Sequence, residues 1–373
     1  MGEPAKPLKL LIVTDAWHPQ VNGVVQTLSR TIEELTAAGH TISLLTPEPF
    51  RTLPLPSYPE IRLAIPRPGA VTAIIETANP DAVHIATEGV LGLLARRHCL
   101  RHNRPFTTSY HTRFPEYIEA RVRSPLIGRA MRRLGYDVLR WFHGPSRAVM
   151  VGTPSMARAL AAEGFRAIKL WTRGVDHALF HPARRVELDC PGPVMLYVGR
   201  VAVEKNLDAF LSLPLPGTKY VVGDGPDLPR LKGLYPETIF TGFLHGEALA
   251  AMMASADVFV FPSRTDTFGL VLLEAMASGV PVAAFPVPGP GDIIEDGISG
   301  ALDEDLGSAI TRALTCSREA ARARSLTYSW QRTAEIFVAL IREAQLEIER
   351  TRQLAGPSVN HQPTSLGADN ASG

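Results

Sequence analysis

The sequence predicts an α/β protein made of two doubly wound domains, each a parallel sheet between layers of helices. Short runs rich in β-branched residues alternate with helix-length segments along the chain, a rhythm typical of parallel sheets. This rhythm occurs twice, and residues 183–193, which are polar and then rich in proline and glycine, separate the two series. The length of 373 residues agrees with a two-domain chain.

Each series contains five predicted buried strands with helical segments between them. The first series consists of KLLIV (9–13), TISLL (41–45), AVHI (82–85), FTTS (106–109) and VMVG (149–152). The second consists of VMLYVG (194–199), KYVVG (219–223), TIFTG (238–242), DVFVF (257–261) and PVAAF (281–285). Ligands of such sheets bind beyond the carboxyl ends of the strands, so we expect the functional site in the cleft between the domains.

We divide the chain into a first domain (1–185), a second domain (186–328), an amphipathic helix (329–353) and a tail (354–373). The helix needs an apolar surface to cover its apolar stripe, so we expect it to cross back onto the first domain. The tail is poor in apolar residues, which predicts that it is disordered.

The composition excludes several classes of protein. The chain is 45% apolar, but no apolar run approaches the roughly 20 residues of a membrane-spanning helix. Its three scattered cysteines favour neither a disulfide framework nor a structural zinc site, so we expect a cytoplasmic protein. Residues 1–185 carry 24 Lys/Arg and 14 Asp/Glu, a net charge of +10, whereas the remainder carries 14 and 23, a net charge of −9. The basic half suits an anionic surface, but no nucleic-acid-binding motif accompanies it, so we expect no nucleic-acid partner.

Two carboxylates stand out in PSRTDTFGLVLLEAM (262–276), because acidic side chains are costly to bury in apolar runs. The predicted pattern places Asp266 in a turn after a strand and Glu274 in a helix that runs from Gly269 to Ala277. N–H groups at this helix start suit a pyrophosphate, and the two carboxylates suit the hydroxyls of a sugar and a ribose. A structural interpretation, in which Asp266 caps the helix and Glu274 pairs with an arginine, stays open.

Two cations follow the first strand of the second domain, in GRVAVEKNLD (199–208). Arg200 and Lys205 at the end of this strand could neutralise a diphosphate leaving group without a metal ion. The alternative is that Lys205 belongs to a solvated helix start.

At this point the sequence resembles a known family. GRVAVEKN, VVGDGP, TGFL and PSRTDTFGLVLLEAMASGVPV, in this order, closely resemble the retaining GT-B glycosyltransferases of family four, and the similarity runs from residue 9 to about 347. The most similar subgroup includes GDP-mannose-dependent α-mannosyltransferases and sulfoquinovosyl-diacylglycerol synthases. One departure concerns Asp266, which replaces the first glutamate of the family's Glu-x7-Glu motif and shortens its reach by one methylene.

The resemblance implies roles for the matching residues. Glu274 would bind the donor ribose, and Arg200 and Lys205 would bind the diphosphate. Gly23, in DAWHPQVNGVV (15–25), would let a loop of the first domain approach the phosphates closely. The other implied donor contacts are the backbone N–H groups of Phe268, Gly269 and Leu270.

His111 and Asp266 would lie at the reacting centre. In the family a histidine that follows a strand end, here His111 in TSYHTRF, lies near the anomeric carbon, although without the family a lone histidine there is more often structural. His18 and His84 are assigned to a loop and to the core. The family retains the anomeric configuration, with the leaving phosphate accepting the proton of the acceptor, so neither carboxylate need act as a base or nucleophile.

The acidic run 303–305 resembles the metal motif of another transferase fold, but its surroundings favour a solvated face, so we expect no metal and no cofactor.

The segment 121–144 is predicted to be a basic amphipathic helix. We expect its apolar stripe to pack on the sheet and its arginines to form an outer ridge that contacts anionic lipid headgroups. An ordinary surface helix is the alternative. The apolar stripe consists of Ile127, Met131, Leu134, Val138 and Trp141, and the ridge of Arg129, Arg132, Arg133 and Arg140.

The sequence therefore predicts a retaining transferase that moves a hexose from a nucleotide diphosphate sugar to a lipid or glycan hydroxyl at the inner face of the cell membrane. On family likeness, the donor is GDP-mannose. Alternatives are UDP-sugar-dependent transfer of a glucosyl, glucuronosyl or sulfoquinovosyl group to diacylglycerol, a sugar-nucleotide epimerase, and a non-catalytic membrane adaptor that binds nucleotide sugars. A nicotinamide dehydrogenase is disfavoured because no G-x-G-x-x-G follows the first strand.

Overall fold

The computed structural model describes residues 6–354, apart from residues 21, 56, 57 and 123. The predicted disordered tail lies outside these residues, except for Leu354, at which the last helix ends. Within the described ranges, no helix is both long enough and apolar enough to cross a membrane.

The first domain is built on a parallel sheet. The described strands of the first half are Lys9–Val13 (β1), Thr41–Leu45 (β2), Arg51–Leu55 (β3), Tyr58–Ile65 (β4), Ala82–Ile85 (β5), Phe106–Tyr110 (β6), Val149–Val151 (β7) and Ile168–Leu170 (β8). Its helices are Gly23–Ala37 (α1), Ala70–Ala78 (α2), Val90–Arg101 (α3), Phe114–Arg121 (α4), Pro125–His143 (α5) and Pro154–Ala162 (α6). The sheet has the order β2-β1-β5-β6-β7-β8, and β3 and β4 pair as a separate antiparallel hairpin.

The second domain repeats this architecture. Its strands are Val194–Val198 (β9), Thr218–Val222 (β10), Ile239–Gly242 (β11), Val258–Phe261 (β12), Val282–Ala284 (β13) and Gly300–Leu302 (β14), in the order β11-β10-β9-β12-β13-β14. The helices that follow are Asp208–Leu211 (α7), Leu228–Leu234 (α8), Gly246–Ser255 (α9), Leu270–Ala277 (α10), Pro290–Ile293 (α11), Leu306–Ala313 (α12), Arg318–Ser325 (α13) and Trp330–Leu354 (α14). The predicted fold class, two doubly wound parallel-sheet domains, is confirmed. The proposed boundary segment, residues 183–193, lies between β8 and β9.

The structure adds strands that the sequence analysis did not assign. The edge strands β8 and β14 have three residues each, too few to show a periodic pattern. In the β3–β4 hairpin, prolines such as Pro54 interrupt an otherwise alternating segment, and proline within a run argues against a strand unless the strand lies at an edge.

The last helix crosses back to the first domain, as predicted. Phe337 and Ile341 of α14 are fully buried in one cluster with Leu28 of α1 and Trp171, which follows β8. The Trp171 and Phe337 rings lie 5.1 Å apart, and Trp171 Nε1 donates to the Thr333 carbonyl at 3.1 Å. The last helix therefore shares a hydrophobic core with the first domain.

Helix α5 forms, but the prediction that its apolar stripe packs on the sheet is wrong. Ile127, Leu134 and Trp141 are 57%, 62% and 57% exposed, and the rest of the stripe, Met131 and Val138, is exposed as well. Met131, Leu134 and Val138 of the stripe line an open groove of about 300 Å³ with Phe114 and Pro115 of α4.

A less apolar face of α5 is buried instead, which explains the error. Tyr136 and His143 are buried on this face, together with Leu139 and Phe142. Tyr136 donates from its hydroxyl to Glu116 at 2.5 Å, so polar contacts as well as apolar ones orient the helix. Gly128 and Gly135 let α4 approach closely. A helical wheel that counts only hydrophobicity misses a face made of glycine, tyrosine and histidine.

Candidate active site

The two domains meet at a cleft that hydrogen bonds between described residues bridge. Gln26 Nε2 donates to Glu274 Oε1 at 3.1 Å, and Thr267 Oγ1 donates to the His111 carbonyl at 2.9 Å. The backbone N–H of Ser155 donates to the Asp292 carboxylate at 3.0 Å. Each contact joins a residue beyond the carboxyl ends of the strands in one sheet to a residue in the same position at the other sheet. The candidate residues predicted from the sequence lie near these contacts.

Two helix N-termini face each other across this cleft. Gly23 begins α1 and Leu270 begins α10, and a Cβ atom added at Gly23 would lie 3.7 Å from the Leu270 side chain. Gly269, the N-cap of α10, has a φ of 86°, a left-handed conformation that favours glycine. The first N–H groups of a helix have no partner within it, so this arrangement presents backbone donors and positive helix ends to an anion.

Asp266 lies beside Lys205 rather than at the helix cap. Lys205 Nζ donates to Asp266 Oδ1 at 2.6 Å, and both side chains are about one-fifth exposed (22% and 20%). The other carboxylate oxygen, Oδ2, is buried, and the described residues give it no hydrogen-bond partner. The N-cap of α10 is Gly269, so the interpretation of Asp266 as a helix cap is wrong. The charged pair lies at the cleft with one acceptor atom available.

Glu274 has an amide partner rather than an arginine. Among the described residues, the Glu274 side chain accepts a hydrogen bond from Gln26 on α1, and this bond joins the two domains. Burial raises the pKa of Glu274, and the hydrogen bond from Gln26 partly offsets this effect. Amide N–H groups and hydroxyl groups both donate hydrogen bonds. A carboxylate bound by a neutral amide can therefore bind hydroxyl groups in its place.

Lys205 and Arg200 follow β9, at the same edge of the second sheet. Lys205 ends a short 3₁₀ turn, and the next residue, Asn206, has a left-handed φ of 56° and donates from Nδ2 to the Pro262 carbonyl at 3.1 Å. This bond ties the turn to the loop that carries Asp266. Arg200 is exposed, and its carbonyl accepts from the Tyr197 hydroxyl at 2.8 Å. The ion pair with Asp266 argues against Lys205 as part of a merely solvated helix start.

His111 follows β6 and has one nitrogen without a partner. Its Nδ1 lies 3.2 Å from Nη2 of Arg173, and its Nε2 is buried with no hydrogen-bond partner among the described residues. Arginine only donates, so Nδ1 must accept and the proton of the neutral ring must be on Nε2. Burial, with Arg173 next, holds the pKa of His111 well below its usual value. His111 is therefore a neutral ring with a spare N–H donor.

Arg173 is a site residue that the sequence analysis missed. It is 5% exposed, its Nη1 donates to the Trp171 carbonyl at 2.5 Å, and its guanidinium lies 4.5 Å from the Trp171 ring centroid and 6.0 Å from that of Phe268. Burial lowers its pKa to about 9, so it keeps its charge at neutral pH. The sequence analysis did not predict β8, the strand that precedes Arg173. Arg173 was therefore not recognised as a residue at the end of a strand.

Other candidate motifs have structural roles. His84 is buried between Thr107 and Ser109, in the core as expected, and His18 lies in the loop before α1. In the acidic run, Asp303 and Glu304 pair with arginines, and Asp305 caps α12 through the Gly307 N–H.

The comparisons with known proteins agree with this geometry. A family model described as glycosyltransferase family 4 matches residues 21–179, and one described as glycosyl transferases group 1 matches residues 192–316. The chain is 31% identical over 359 residues to a GDP-mannose-dependent alpha-mannosyltransferase of Mycolicibacterium smegmatis, an alignment that covers 87% of this chain and 94% of the relative. The chain belongs to the family 4 glycosyltransferases.

Two further relatives of this glycosyltransferase have other names. It is 31% identical to the sulfoquinovosyl transferase SQD2 of Arabidopsis thaliana, over 88% of this chain and 72% of the relative. It is 27% identical to an alpha-monoglucosyldiacylglycerol synthase of Streptococcus pneumoniae, over 82% of this chain and 78% of the relative. Among solved structures, a sucrose-phosphate synthase of Thermosynechococcus elongatus has the same fold, with a TM-score of 0.69, 22% identity, and coverage of 93% of this chain and 99% of that one.

Proposed function

We propose that this glycosyltransferase moves mannose from GDP-mannose to a hydroxyl of a lipid acceptor, with retention of the anomeric configuration and without a metal ion. The observation that carries the proposal is the pairing of two helix N-termini with Lys205, Asp266 and Glu274 at one cleft. The mannosyltransferase relative supports the choice of donor, and the diacylglycerol-related synthase supports a lipid acceptor.

The donor diphosphate would lie between the N-termini of α1 and α10. Lys205 and Arg200, which follow β9, would supply side-chain positive charge. The backbone N–H groups of Phe268, Gly269 and Leu270, at and just before the start of α10, would supply fixed donors. Lysine, arginine and helix ends together perform the charge neutralisation that a metal performs in other transferases. The Leu270 side chain lies close to Gly23, so it would have to move to admit the diphosphate at this point.

Both carboxylates would bind hydroxyl groups of the donor. Glu274 would release Gln26 and accept hydrogen bonds from the ribose hydroxyls. Asp266 would accept a hydrogen bond from a sugar hydroxyl at Oδ2 while Oδ1 stays with Lys205, which keeps the carboxylate oriented. Asp266 would therefore have a binding role.

The transfer step needs no proton acceptor from the protein. The bond between the anomeric carbon and the leaving phosphate oxygen breaks, and the acceptor oxygen bonds to the same face of that carbon. The acceptor proton passes to the leaving phosphate, so the products are the glycoside and GDP. His111 would donate from Nε2 to a sugar hydroxyl and so orient the reacting centre.

The exposed apolar face of α5 supports a membrane position for the enzyme. Leu134, Val138 and Trp141 project from a helix that also carries the exposed arginines Arg129 and Arg133, a combination typical of helices that lie in a bilayer interface. Arg132 and Arg140 are engaged elsewhere, because both contact Glu163, so the arginine ridge we expected is reduced to two members. We propose that the apolar stripe contacts the inner leaflet, with Arg129 and Arg133 of the same helix available to its anionic headgroups.

Replacing Leu134, Val138 and Trp141 with serine should weaken binding to phosphatidylcholine vesicles that contain phosphatidylglycerol by at least about tenfold, since each side chain loses part of about 1.5–3 kcal/mol of transfer free energy. Co-sedimentation measures this. The matched control replaces Leu234, Ile298 and Leu326, which are similarly exposed on the second domain. Equal binding by both triple variants would show that α5 does not contact the membrane.

The transfer reaction itself is tested by incubating the purified enzyme with donor and a lipid extract in the presence of EDTA. We expect GDP-mannose to yield GDP and a mannolipid whose anomeric proton signal shows the α configuration. Transfer from UDP-glucose alone would favour the UDP-sugar alternative. Nucleotide binding without transfer to any acceptor lipid would favour the adaptor alternative.

A further inference from the structure

Two histidines and a glutamate gather at the ends of α2 and α3, away from the cleft. Glu76 lies near the end of α2, His98 lies in the last turn of α3, and His102 is the residue that caps α3. One ligand atom from each residue lies within 4.8 Å of those of the other two. The two histidines are four residues apart, one helical turn, and their ring centroids are 4.5 Å apart at an interplanar angle of 32°.

His98 has an unexplained buried nitrogen. The residue is 5% exposed, and its Nδ1 is buried without a hydrogen-bond partner in the part of the chain that the structure describes. Buried polar atoms without partners are rare in folded proteins, and an absent ion is one established reason for them.

We propose that Glu76, His98 and His102 bind a transition-metal ion of the zinc class, with water at the fourth position. Two imidazoles and a carboxylate are a donor set typical of zinc, whereas calcium and magnesium prefer oxygen ligands. Bonds of about 2.0–2.1 Å would require the ligand atoms to approach one another more closely than they do. Glu76 and His102 are exposed and can move, while His98 is held in the helix packing.

The site would join α2 to α3 and would take no part in transfer. The N-terminus of α3 lies at the cleft side, where the Leu91 N–H donates to Asp15 Oδ1 at 2.9 Å. His98 is seven residues further along, about 10 Å down the helix axis. A bound ion would cross-link the two helices at their far ends and oppose their separation on unfolding. The inference therefore does not depend on the proposed sugar transfer.

The test is calorimetric titration of the full-length protein with zinc chloride, without nucleotide and after removal of metals with EDTA. We expect saturable binding of one equivalent that raises the melting temperature by several degrees. His102→Gln and Glu76→Gln change exposed residues and should leave the fold intact, with at least about a tenfold loss of affinity. His245→Gln, an exposed histidine of the second domain, is the matched control and should bind as the parent does.

Three results would overturn the proposal. One is the absence of saturable zinc binding to the parent protein. Another is equal zinc affinity in His102→Gln and His245→Gln, because the binding would then arise from other histidines or cysteines. Titration with cobalt adds an independent readout, since a site with nitrogen ligands produces visible absorption that both His102→Gln and His98→Gln should abolish. Persistence of that absorption in both variants would likewise contradict the proposal.

Discussion

Replacing Lys205 with methionine is expected to lower kcat/KM for the nucleotide-sugar donor by about 100- to 1000-fold, the typical loss for one preorganised donor at a developing negative charge. Methionine keeps much of the side-chain volume but removes the positive charge beside Asp266. Both proposed functions of the lysine would be lost, namely neutralisation of the leaving diphosphate and orientation of the Asp266 carboxylate, with which it pairs. Steady-state kinetics with varied donor concentration measures the effect.

The control for this variant is Lys232→Met, which changes an exposed lysine on α8 of the same domain. It should keep the parent activity. Lys205→Arg should recover part of the loss, because arginine can pair with both carboxylate and phosphate. If Lys205→Met retained activity within a few-fold of the parent while folding normally, the diphosphate would have to be neutralised elsewhere.

Replacing Arg173 with glutamine is expected to lower kcat more than it changes donor affinity. Without the guanidinium, nothing requires Nδ1 of His111 to be the acceptor, so the ring can place its proton on the wrong nitrogen. Loss of one hydrogen bond to a charged group costs about 1.5–3 kcal/mol. This corresponds to a roughly 10- to 100-fold lower kcat. Kinetics together with calorimetric titration of GDP separates the two effects.

A double-variant comparison distinguishes this positioning role from a general loss of stability. In a His111→Ala background, Arg173→Gln should have little further effect on kcat, because the group that the arginine orients is absent. Arg173→Lys keeps a buried cation and should retain more activity than the glutamine variant. Additive losses in the His111→Ala background would show that Arg173 acts through another contact, such as its packing beneath Phe268.

The sequence predicted those parts of the protein that have a strong local signal. Long β-branched strands such as β1 and β9 were predictable because their buried runs are bounded by turns, and the amphipathic pattern of α14 predicted its return to the first domain. Pairings between residues distant in sequence were not predictable. The bond between Gln26 and Glu274 spans 248 positions, and nothing local to either residue reports it.

Two failures have the same physical origin. The orientation of α5 was mispredicted because Tyr136 and His143 are buried through specific hydrogen bonds and close packing, which average hydrophobicity does not register. Arg173 was missed because the strand that precedes it has only three residues and was not predicted. Its contact with His111, 62 positions away, could not be predicted from the local sequence either. In both cases tertiary contacts override the local pattern.

We propose that the cleft binds a guanosine diphosphate sugar without a metal. Calorimetric titration of the purified protein with GDP, UDP, GDP-mannose and UDP-glucose, in buffer containing EDTA, tests it most directly. We predict saturable binding of GDP and GDP-mannose that clearly exceeds binding of the uridine ligands, and that weakens in Lys205→Met. Preference for UDP and UDP-glucose, or no binding of any of the four, would contradict this assignment.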